Sequence, residues 1–238
     1  FALIFIFIAI AVGMMFTAQR SEQDRLWVGL SKETAHQLGT PISSLNAWQQ
    51  ILMEKYPEDI YVPQMKKDIN RLQIIADRFQ KIGSETELNE MNLIPVVEEA
   101  IAYIRVRTSN KITIDDSALK DVTRVVALNA PLMQWVIENL LKNALDAIHN
   151  DGKITITVCE NEHDVMLDIT DTGKGMDVKT QRHIFDPGFT TKERGWGLGL
   201  PLAKRIVEQY HGGKLLLKHS QQGVGSTFRI VIKKPENS

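Results

Sequence analysis

One histidine lies opposite the apolar side of a predicted helix. His36 falls within the stretch SKETAHQLGTPISSL, residues 31–45. At about 100° per residue, the apolar residues around it share one sector of that helix, namely Leu30, Leu38, Ile42, Leu45, Trp48 and Leu52. Glu33, Thr40 and Ser43 lie with His36 on the far side. We therefore expect the imidazole to face solvent, free to meet another domain, although a lone surface histidine is usually only a solvated side chain.

A later predicted helix carries polar side chains that suit a metal ion or a phosphate. Between Leu132 and His149 one face is apolar, formed by Val136, Leu140, Ala144 and Ile148 with Ile137 and Leu141 beside them. Asn139, Asn143 and Asp146 occupy the other face. Asparagine is mildly unfavourable in mid-helix. Its amide oxygen can ligate Mg²⁺ and its NH₂ group can donate to phosphate, whereas a solvated polar face would explain the same pattern.

Two glycine-rich segments follow. Asp171-Thr-Gly173-Lys-Gly175 comes directly after a predicted strand. Its glycines let the backbone approach a ligand closely, and Asp171 can accept a hydrogen bond from an exocyclic amine; a simple turn is the alternative. In residues 195–199 every second residue is glycine, just before a predicted helix, which suits a mobile phosphate cradle. A glycine-rich loop alone is weak evidence.

The element that positions His36 reads as a helical hairpin, residues 19–83. The first helix is predicted from near Arg20 to near Lys55, and the second from about Gln64 to Ile82. The segment between them contains two prolines, which break a helix. Two helices alone cannot bury the apolar stripe that each carries. We therefore expect a homodimer in which two hairpins form a four-helix bundle.

Residues 84–91 are polar and read as a linker, and residues 92–235 alternate between helices and strands. The predicted helices are Leu93–Thr108, Asn129–His149 and Pro201–Gln209. The predicted strands are Lys111–Ile114, Thr123–Ala127, Lys153–Glu160, Val165–Thr170, Gly213–Lys218 and Ser226–Ile232. This mixture predicts an α/β sandwich, a mostly antiparallel sheet covered by helices, and an α+β class for the whole chain.

Residues 1–18 form an uncharged apolar run that approaches the length needed to cross a bilayer. No basic region precedes the run and it is apolar on every side, so we interpret it as the end of a transmembrane helix rather than a signal peptide or a core helix. The net charge of −1 gives no indication of nucleic-acid binding. The single cysteine, Cys159, excludes an internal disulfide, and its place on a predicted strand indicates a buried or half-buried thiol.

Six motifs, in chain order, resemble those of sensor histidine kinases. HQLGTP at residues 36–41 resembles the H box, ENLLKNALD at 138–146 the N box, DTGKG at 171–175 the G1 box, FDPGFTT at 185–191 the F box, GWGLGL at 195–200 the G2 box, and GVGSTF at 223–228 the last glycine box. All but the first are similar to motifs of the Bergerat-fold ATPases: gyrase, Hsp90, histidine kinases and MutL. The F box and the Gly-Leu-Gly-Leu run favour the kinase branch.

The resemblance implies a binding site for ATP and Mg²⁺. The implied nucleotide-binding residues are Asn139, Asn143, Asp146, Asp171, Gly173, Gly175, Thr191, Lys192, Arg194, Gly195, Gly197, Leu198, Gly199 and Thr227. Asn143 would ligate the metal with help from Asn139, and Asp171 would read the adenine amine. Lys192 or Arg194 would neutralise phosphate charge beneath a glycine lid. Thr227 would line the adenine pocket, with the G1 glycines packed at the base.

The resemblance also gives His36 the role of attacking the γ-phosphate through its neutral imidazole. An acidic residue usually follows this histidine in the family, but here Gln37 does, and an amide cannot take a proton. We predict that Glu33 accepts the proton, or that no base is used. Thr40 is predicted to act with Gln37 in removing phosphate from an aspartate of the response regulator, the protein that receives the phosphoryl group in this family. Trp196 also departs from the family pattern and either packs the lid or marks a subfamily.

Taken together, these motifs predict a membrane-anchored, homodimeric sensor histidine kinase that passes its phosphoryl group to the receiver domain of a response regulator. The implied location is the bacterial inner membrane, with the kinase domains in the cytoplasm. One alternative is a protein that mainly dephosphorylates its regulator and has weak kinase activity because of Gln37. Another is a nucleotide-dependent scaffold without chemistry, against which the intact His36 and lid glycines argue.

Overall fold

The computed structural model describes residues 29, 33, 35–81, 87–109, 111–192 and 195–235. Residues 1–18, the predicted membrane segment, lie outside this set, so membrane anchoring stays a prediction from the sequence. Within the described ranges, no helix combines the length and the apolar character needed to span a bilayer. The chain divides into two compact units, Phe1–Glu85 and Thr86–Ser238.

The first unit contains two helices. Helix α1 is continuous over residues 35–55, and helix α2 spans Val62–Lys81. The carboxylate of Asp59 accepts hydrogen bonds from the backbone N–H groups of Tyr61 at 2.6 Å and Val62 at 3.2 Å. This side chain satisfies donors at the start of α2 that have no partner within the helix. The chain therefore turns and enters α2 where the sequence predicted the break.

Helices α1 and α2 contact each other through a small apolar cluster. Ile42, Ile69 and Ala76 are buried together, and Leu38 packs against them. Other large apolar side chains on the same two helices remain exposed: Leu45, Trp48, Ile51, Met53, Met65, Leu72 and Ile74. The hairpin on its own thus buries only part of its apolar surface.

The second unit combines strands and helices. In chain order these are β1 (Asn89–Asn92), α3 (Leu93–Arg105), β2 (Ile112–Asp115), β3 (Val125–Leu128), α4 (Ala130–Ala147), β4 (Gly152–Glu160), β5 (Asp164–Asp171), α5 (Val178–His183), α6 (Gly199–Arg205), β6 (Lys214–Gln221) and β7 (Gly225–Lys233). A short 3₁₀ turn, Ser117–Leu119, follows β2, and α6 continues as a wider helical turn, Ile206–Tyr210.

Five of these strands form one sheet in the order β2-β4-β5-β7-β6, and β1 pairs with β3 in a separate ribbon. Only β2 and β4 run parallel within the sheet; its other neighbouring pairs are antiparallel. One face of the sheet is apolar, with Ile154, Ile156, Leu167, Ile169 and Ile230 buried at alternate positions. Helix α4 packs against β4, β5 and β7. The predicted α+β class and mostly antiparallel sheet are confirmed.

Helix α4 is oriented by its apolar row. Val136, Ile137, Leu140, Leu141 and Ala144 are all buried, so the face that carries the two asparagines turns away from the core. Asn129 begins the helix, and its side chain accepts a hydrogen bond from the N–H of Leu132 at 3.2 Å. Pro131 sits in the first turn, where a missing N–H costs nothing.

His211 joins the start of α4 to the end of α6. It is only 6% exposed. Its Nε2 accepts a hydrogen bond from the backbone N–H of Asn129 at 3.1 Å, and its Nδ1 donates to the carbonyl of Ile206 at 2.9 Å. This pairing requires the neutral ring, and burial lowers the pKa of His211 accordingly. His211 thus links two helices that border the cavity described below.

Two expectations from the sequence fail in this unit, and one helix was not anticipated. Strand β1 occupies the end of the predicted linker. Its polar sequence does not indicate a strand, and the strand forms because it pairs with β3. Helix α5 was not predicted, since none of its residues is buried. The expectation of a buried or half-buried Cys159 is wrong: the residue is exposed, near the end of β4 where the strand leaves the core.

Candidate functional site

A cavity of about 630 Å³ opens in the second unit. Its walls come from α4, the end of β5 with the following loop, α5, residues 189–201 and the start of β7. The lining includes eleven of the residues predicted to bind nucleotide: Asn139, Asn143, Asp146, Asp171, Gly175, Thr191, Lys192, Gly195, Gly197, Leu198 and Gly199. Motifs that are far apart in sequence therefore meet in one cavity of a size typical for small-ligand sites.

Asp171 lies at the inner end of this cavity. It is 5% exposed, and its Oδ1 accepts a hydrogen bond from the N–H of Gly173 at 2.8 Å. Burial raises the pKa of Asp171, while hydrogen bonds from the N–H groups of Gly173 and Ser226 oppose that rise. A carboxylate held in this way remains available to accept a hydrogen bond from a ligand.

At Gly175 and Gly199 an added side chain would come too close to the backbone or to a neighbouring side chain. Gly175 has φ of +61°, and a Cβ there would collide with the backbone carbonyl of Gln221. At Gly199, the first residue of α6, an added Cβ would lie 2.7 Å from the side-chain oxygen of Asn139. These two contacts set the G1 loop against the β6–β7 turn and α6 against α4.

The polar face of α4 is engaged by a lysine. The Nζ of Lys192 lies 2.9 Å from Oδ1 of Asn143 and 2.7 Å from Oδ2 of Asp146. Two oxygens one turn apart on α4 therefore converge on a single cationic centre. Hard oxygen donors in this arrangement suit Mg²⁺, which usually takes one or two protein oxygens and completes its shell with water and phosphate.

The residues that could hold the metal are thus Asn143 and Asp146. Among the residues that the structure describes, no group of three or more histidine, cysteine, aspartate or glutamate side chains could hold a metal ion. A divalent cation bound at this pair of oxygens would need further ligands from a nucleotide or from solvent. Asn139, the other predicted ligand, instead lies beside Gly199 at the start of α6.

Residues 190–192 and 195–198 form the lid segment, which lines one side of the cavity. The N–H of Gly188 donates to the carbonyl of Gly197 at 3.1 Å, closing the base of the segment. The backbone N–H of Lys192 donates to Oγ1 of Thr190 at 3.1 Å. Trp196 lines the cavity yet is 88% exposed. Arg194, one of the two predicted phosphate-binding cations, lies outside the described residues.

Thr227, which the resemblance placed in the adenine pocket, is not among the residues that line this cavity. Its hydroxyl lies 3.0 Å from that of Thr170, which it opposes across the β5–β7 ladder, and its neighbours Ser226 and Phe228 line the cavity instead. Successive side chains of a strand point to opposite faces. Because Ser226 and Phe228 are two residues apart on one strand, they share a face, and Phe228 is a core residue. This alternation would have assigned Ser226 to the site, whereas the motif alone did not.

Other lining residues had no signal in the sequence. Thr180 and Ile184 come from α5 and its end, and Met176 from the loop before it. Phe185 of the F box stacks edge-on against Phe228, with ring centroids 6.4 Å apart. The Nζ of Lys204 lies 4.6 Å from the centre of the Phe185 ring. The F box therefore anchors the lid segment to β7 and α6.

The predicted acceptor residues lie in the first unit, on α1 and the turn before it. His36, Thr40 and Glu33 are all exposed, as the helical pattern predicted. The Nε2 of Gln37 donates a hydrogen bond to Oε1 of Glu33 at 2.6 Å. The amide that replaces the usual acidic residue is therefore engaged with a carboxylate one helical turn earlier, on the side of the helix that carries His36.

Comparison with known proteins identifies the class of the second unit. Residues 129–236 match the family of histidine kinase-, DNA gyrase B-, and HSP90-like ATPases. The solved catalytic domain of histidine kinase ThkA superposes with a TM-score of 0.54 at 27% identity, over 63% of this chain and 97% of that domain. The cavity thus lies in an ATPase domain of this family.

Relatives extend the similarity to the first unit. Sensor histidine kinase ZraS of Escherichia coli (strain K12) is 31% identical over 208 residues, which cover 84% of this chain and 44% of ZraS. Sporulation kinase D of Bacillus subtilis (strain 168) is 28% identical over 210 residues, 85% of this chain and 41% of that kinase. The chain belongs to the sensor histidine kinase family and spans less than half the length of these two relatives.

A longer structure also shares the fold. Histidine kinase ThkA in complex with the response regulator protein TrrA superposes with a TM-score of 0.56 over 93% of this chain and 66% of that one, at 23% identity. At this identity the likeness concerns the fold alone.

Proposed function

We propose that this protein is an ATP-dependent histidine kinase that phosphorylates its own His36 and passes the phosphoryl group to an aspartate of a response regulator. The observation that carries the proposal is the single cavity that unites Asp171, the polar face of α4 and the glycine lid segment. A buried acceptor, a pair of oxygens for a cation and a phosphate cradle are the three parts that an adenine nucleotide needs.

In this proposal each part of the cavity has one task. Asp171 accepts a hydrogen bond from the exocyclic amine of adenine. Asn143 and Asp146 would hold Mg²⁺, with Asn139 nearby. The metal would supply charge neutralisation on the triphosphate. The backbone of residues 195–199 encloses the phosphates and excludes water.

The transfer itself follows from the chemistry of imidazole. One ring nitrogen of neutral His36 attacks the γ-phosphorus, a P–N bond forms, the bond to the bridging oxygen breaks, and ADP leaves with that electron pair. The second ring nitrogen then becomes acidic and loses its proton. The phosphorylated ring would next donate its phosphoryl group to a regulator's aspartate, a partner proposed from membership of the sensor histidine kinase family.

We also propose that the chain acts as a homodimer. The exposed apolar side chains of α1 and α2 support this, because Trp48 and Ile51 are 64% and 59% exposed, and the described residues of the hairpin bury only a small apolar cluster. A second hairpin packed against them would complete a four-helix bundle.

The test is incubation of the purified chain with ATP labelled at the γ-phosphate, followed by acid and alkali treatment of the labelled protein. The proposal expects label that is lost in acid and retained in alkali, as for a phosphoramidate. Nucleotide binding without label would favour the scaffold. Weak label, together with rapid loss of phosphate from a phosphorylated regulator, would favour the phosphatase, in which Gln37 and the exposed Thr40 would position water.

Glu33 is expected to take the proton from His36. Its carboxylate, which accepts the hydrogen bond from Gln37, lies on the side of the helix that carries His36. We expect Glu33→Gln to slow autophosphorylation in a single turnover at least about tenfold, because general-base catalysis is worth that or more. Glu54→Gln, which changes an exposed carboxylate farther along α1, should leave the rate unchanged.

A Gln37→Glu variant distinguishes the two predictions made for the proton of His36, namely that Glu33 accepts it or that no base is used. If Glu33 is the base, a carboxylate at position 37 should restore the rate of the Glu33→Gln protein. If Glu33→Gln has no effect while Gln37→Glu alone accelerates transfer, the wild-type protein works without a base and the role of Glu33 is wrong.

A further inference from the structure

Lys192 makes its two polar side-chain contacts with the oxygens that the proposed function gives to a metal ion. Its Nζ lies 2.9 Å from Oδ1 of Asn143 and 2.7 Å from Oδ2 of Asp146. Lys192 belongs to the lid segment, whereas both partners belong to α4. One side chain therefore connects the lid segment to α4.

The ammonium of Lys192 competes with any cation that would bind both of these oxygens. A divalent ion bound to both oxygens would occupy the position that the ammonium now holds, since each distance is that of direct contact. The pair is half exposed, with 40% of the Lys192 and 40% of the Asp146 side chain accessible, so the ammonium can leave without stranding a buried charge. A lysine bound this way suits exchange better than a permanent structural role.

We infer that Lys192 is the resident cation of the nucleotide-free site: it neutralises Asp146 and holds the lid segment to α4 until a divalent cation arriving with nucleotide displaces it. This role rests on the proposed nucleotide function. It differs from that of a fixed phosphate ligand, which would contribute equally to nucleotide affinity with and without metal. It also differs from an incidental surface ion pair, which would contribute to nucleotide affinity under neither condition.

The charges predict how binding should depend on metal. Without a divalent ion, the triphosphate approaches the Asp146 carboxylate, and Lys192 is the group that cancels this repulsion. With Mg²⁺ present, the ion cancels this repulsion, and the Lys192 ammonium no longer contacts Asp146. Removing the ammonium should therefore weaken metal-free nucleotide much more than magnesium-bound nucleotide.

The experiment measures the dissociation constant of a non-hydrolysable ATP analogue by calorimetry, once with EDTA and once with saturating Mg²⁺. For Lys192→Met we expect a loss of about threefold to tenfold in EDTA, the range of a partly exposed ion pair beside phosphate, and a clearly smaller loss in Mg²⁺. The matched control, Lys214→Met, removes one charge from an exposed lysine that does not line the cavity. Equal losses, a larger loss in Mg²⁺ or no loss would overturn the inference.

Two further measurements keep the role of Lys192 separate from the proposed function. In an Asp146→Asn background, Lys192→Met should weaken binding of the ATP analogue in EDTA only slightly further, because the ion pair is already absent. Fully additive losses of affinity would contradict this. Titration of the nucleotide-free protein with Mn²⁺ alone, followed by electron paramagnetic resonance, should show tighter Mn²⁺ binding in Lys192→Met than in wild type. If the wild-type protein binds no nucleotide, the proposed function is wrong. If Mn²⁺ binding is the same in Lys192→Met and wild type, the inferred role of Lys192 is wrong as well.

Discussion

His36→Gln should abolish incorporation of phosphate from ATP, by more than about a thousandfold, while leaving nucleotide affinity unchanged. Removing the nucleophile of a covalent step removes the whole step rather than a fraction of its rate. The exposed position of His36 on α1 means that glutamine can replace it without disturbing a core. Nucleotide affinity depends on the cavity of the second unit, which contains no residue of α1.

The measurement combines γ-labelled ATP with calorimetry on the same preparations. The control is His163→Gln, which changes an exposed histidine between β4 and β5 and should keep full labelling. Acid-labile label at the wild-type level in the His36→Gln protein would place the phosphoryl group on another residue. Loss of both labelling and nucleotide binding would instead indicate a damaged fold.

Local patterns predicted the parts of this fold that local forces decide. The alternation in residues 152–171 predicted β4 and β5 to within a residue or two, because each strand buries one face. The cap at Asn129 and the proline at 131 marked the start of α4. The apolar row of α4 also placed Asn139 and Asn143 on the side that borders the cavity.

Elements stabilised from a distance escaped prediction. Strand β1 contains two asparagines, a glutamate and one methionine, and exists because β3 pairs with it. Helix α5 has no buried residue of its own, and Asp177 begins it by accepting a hydrogen bond from the N–H of Thr180 at 2.6 Å. A periodicity argument cannot detect either of them.

Motif resemblance located the site but not the direction of each side chain. It placed Thr227 in the adenine pocket, whereas the strand alternation turns that residue toward Thr170 and brings Ser226 to the cavity. It proposed Lys192 or Arg194 for the phosphates and gave no indication that the Lys192 ammonium contacts two oxygens of α4. Both outcomes depend on tertiary geometry that a linear motif does not contain.

Asp171→Asn should weaken nucleotide binding about a hundredfold, since a hydrogen bond to a buried charged acceptor is worth about 1.5–3 kcal/mol. The carboxylate accepts N–H groups from both Gly173 and Ser226. An amide offers one oxygen and one NH₂, so one of these donors would face another donor. Asp164→Asn, at the opposite end of β5, is the matched control and should bind normally. Unchanged affinity in Asp171→Asn would remove Asp171 from the adenine site.

The pH dependence of binding tests the same carboxylate without a mutation. Burial raises the pKa of Asp171 above the ordinary aspartate value of 3.8, so on acidification it gains its proton in the folded protein before it would in the unfolded chain. This protonation favours the folded state, and its contribution is lost as pH rises through the raised pKa. Binding behaves in the opposite way, because the protonated acid loses an acceptor oxygen. We expect nucleotide affinity to fall with acidification while the protein stays folded, as judged by calorimetry alongside circular dichroism. If affinity fell only together with the folded signal, the loss would come from unfolding and Asp171 would not be the group responsible.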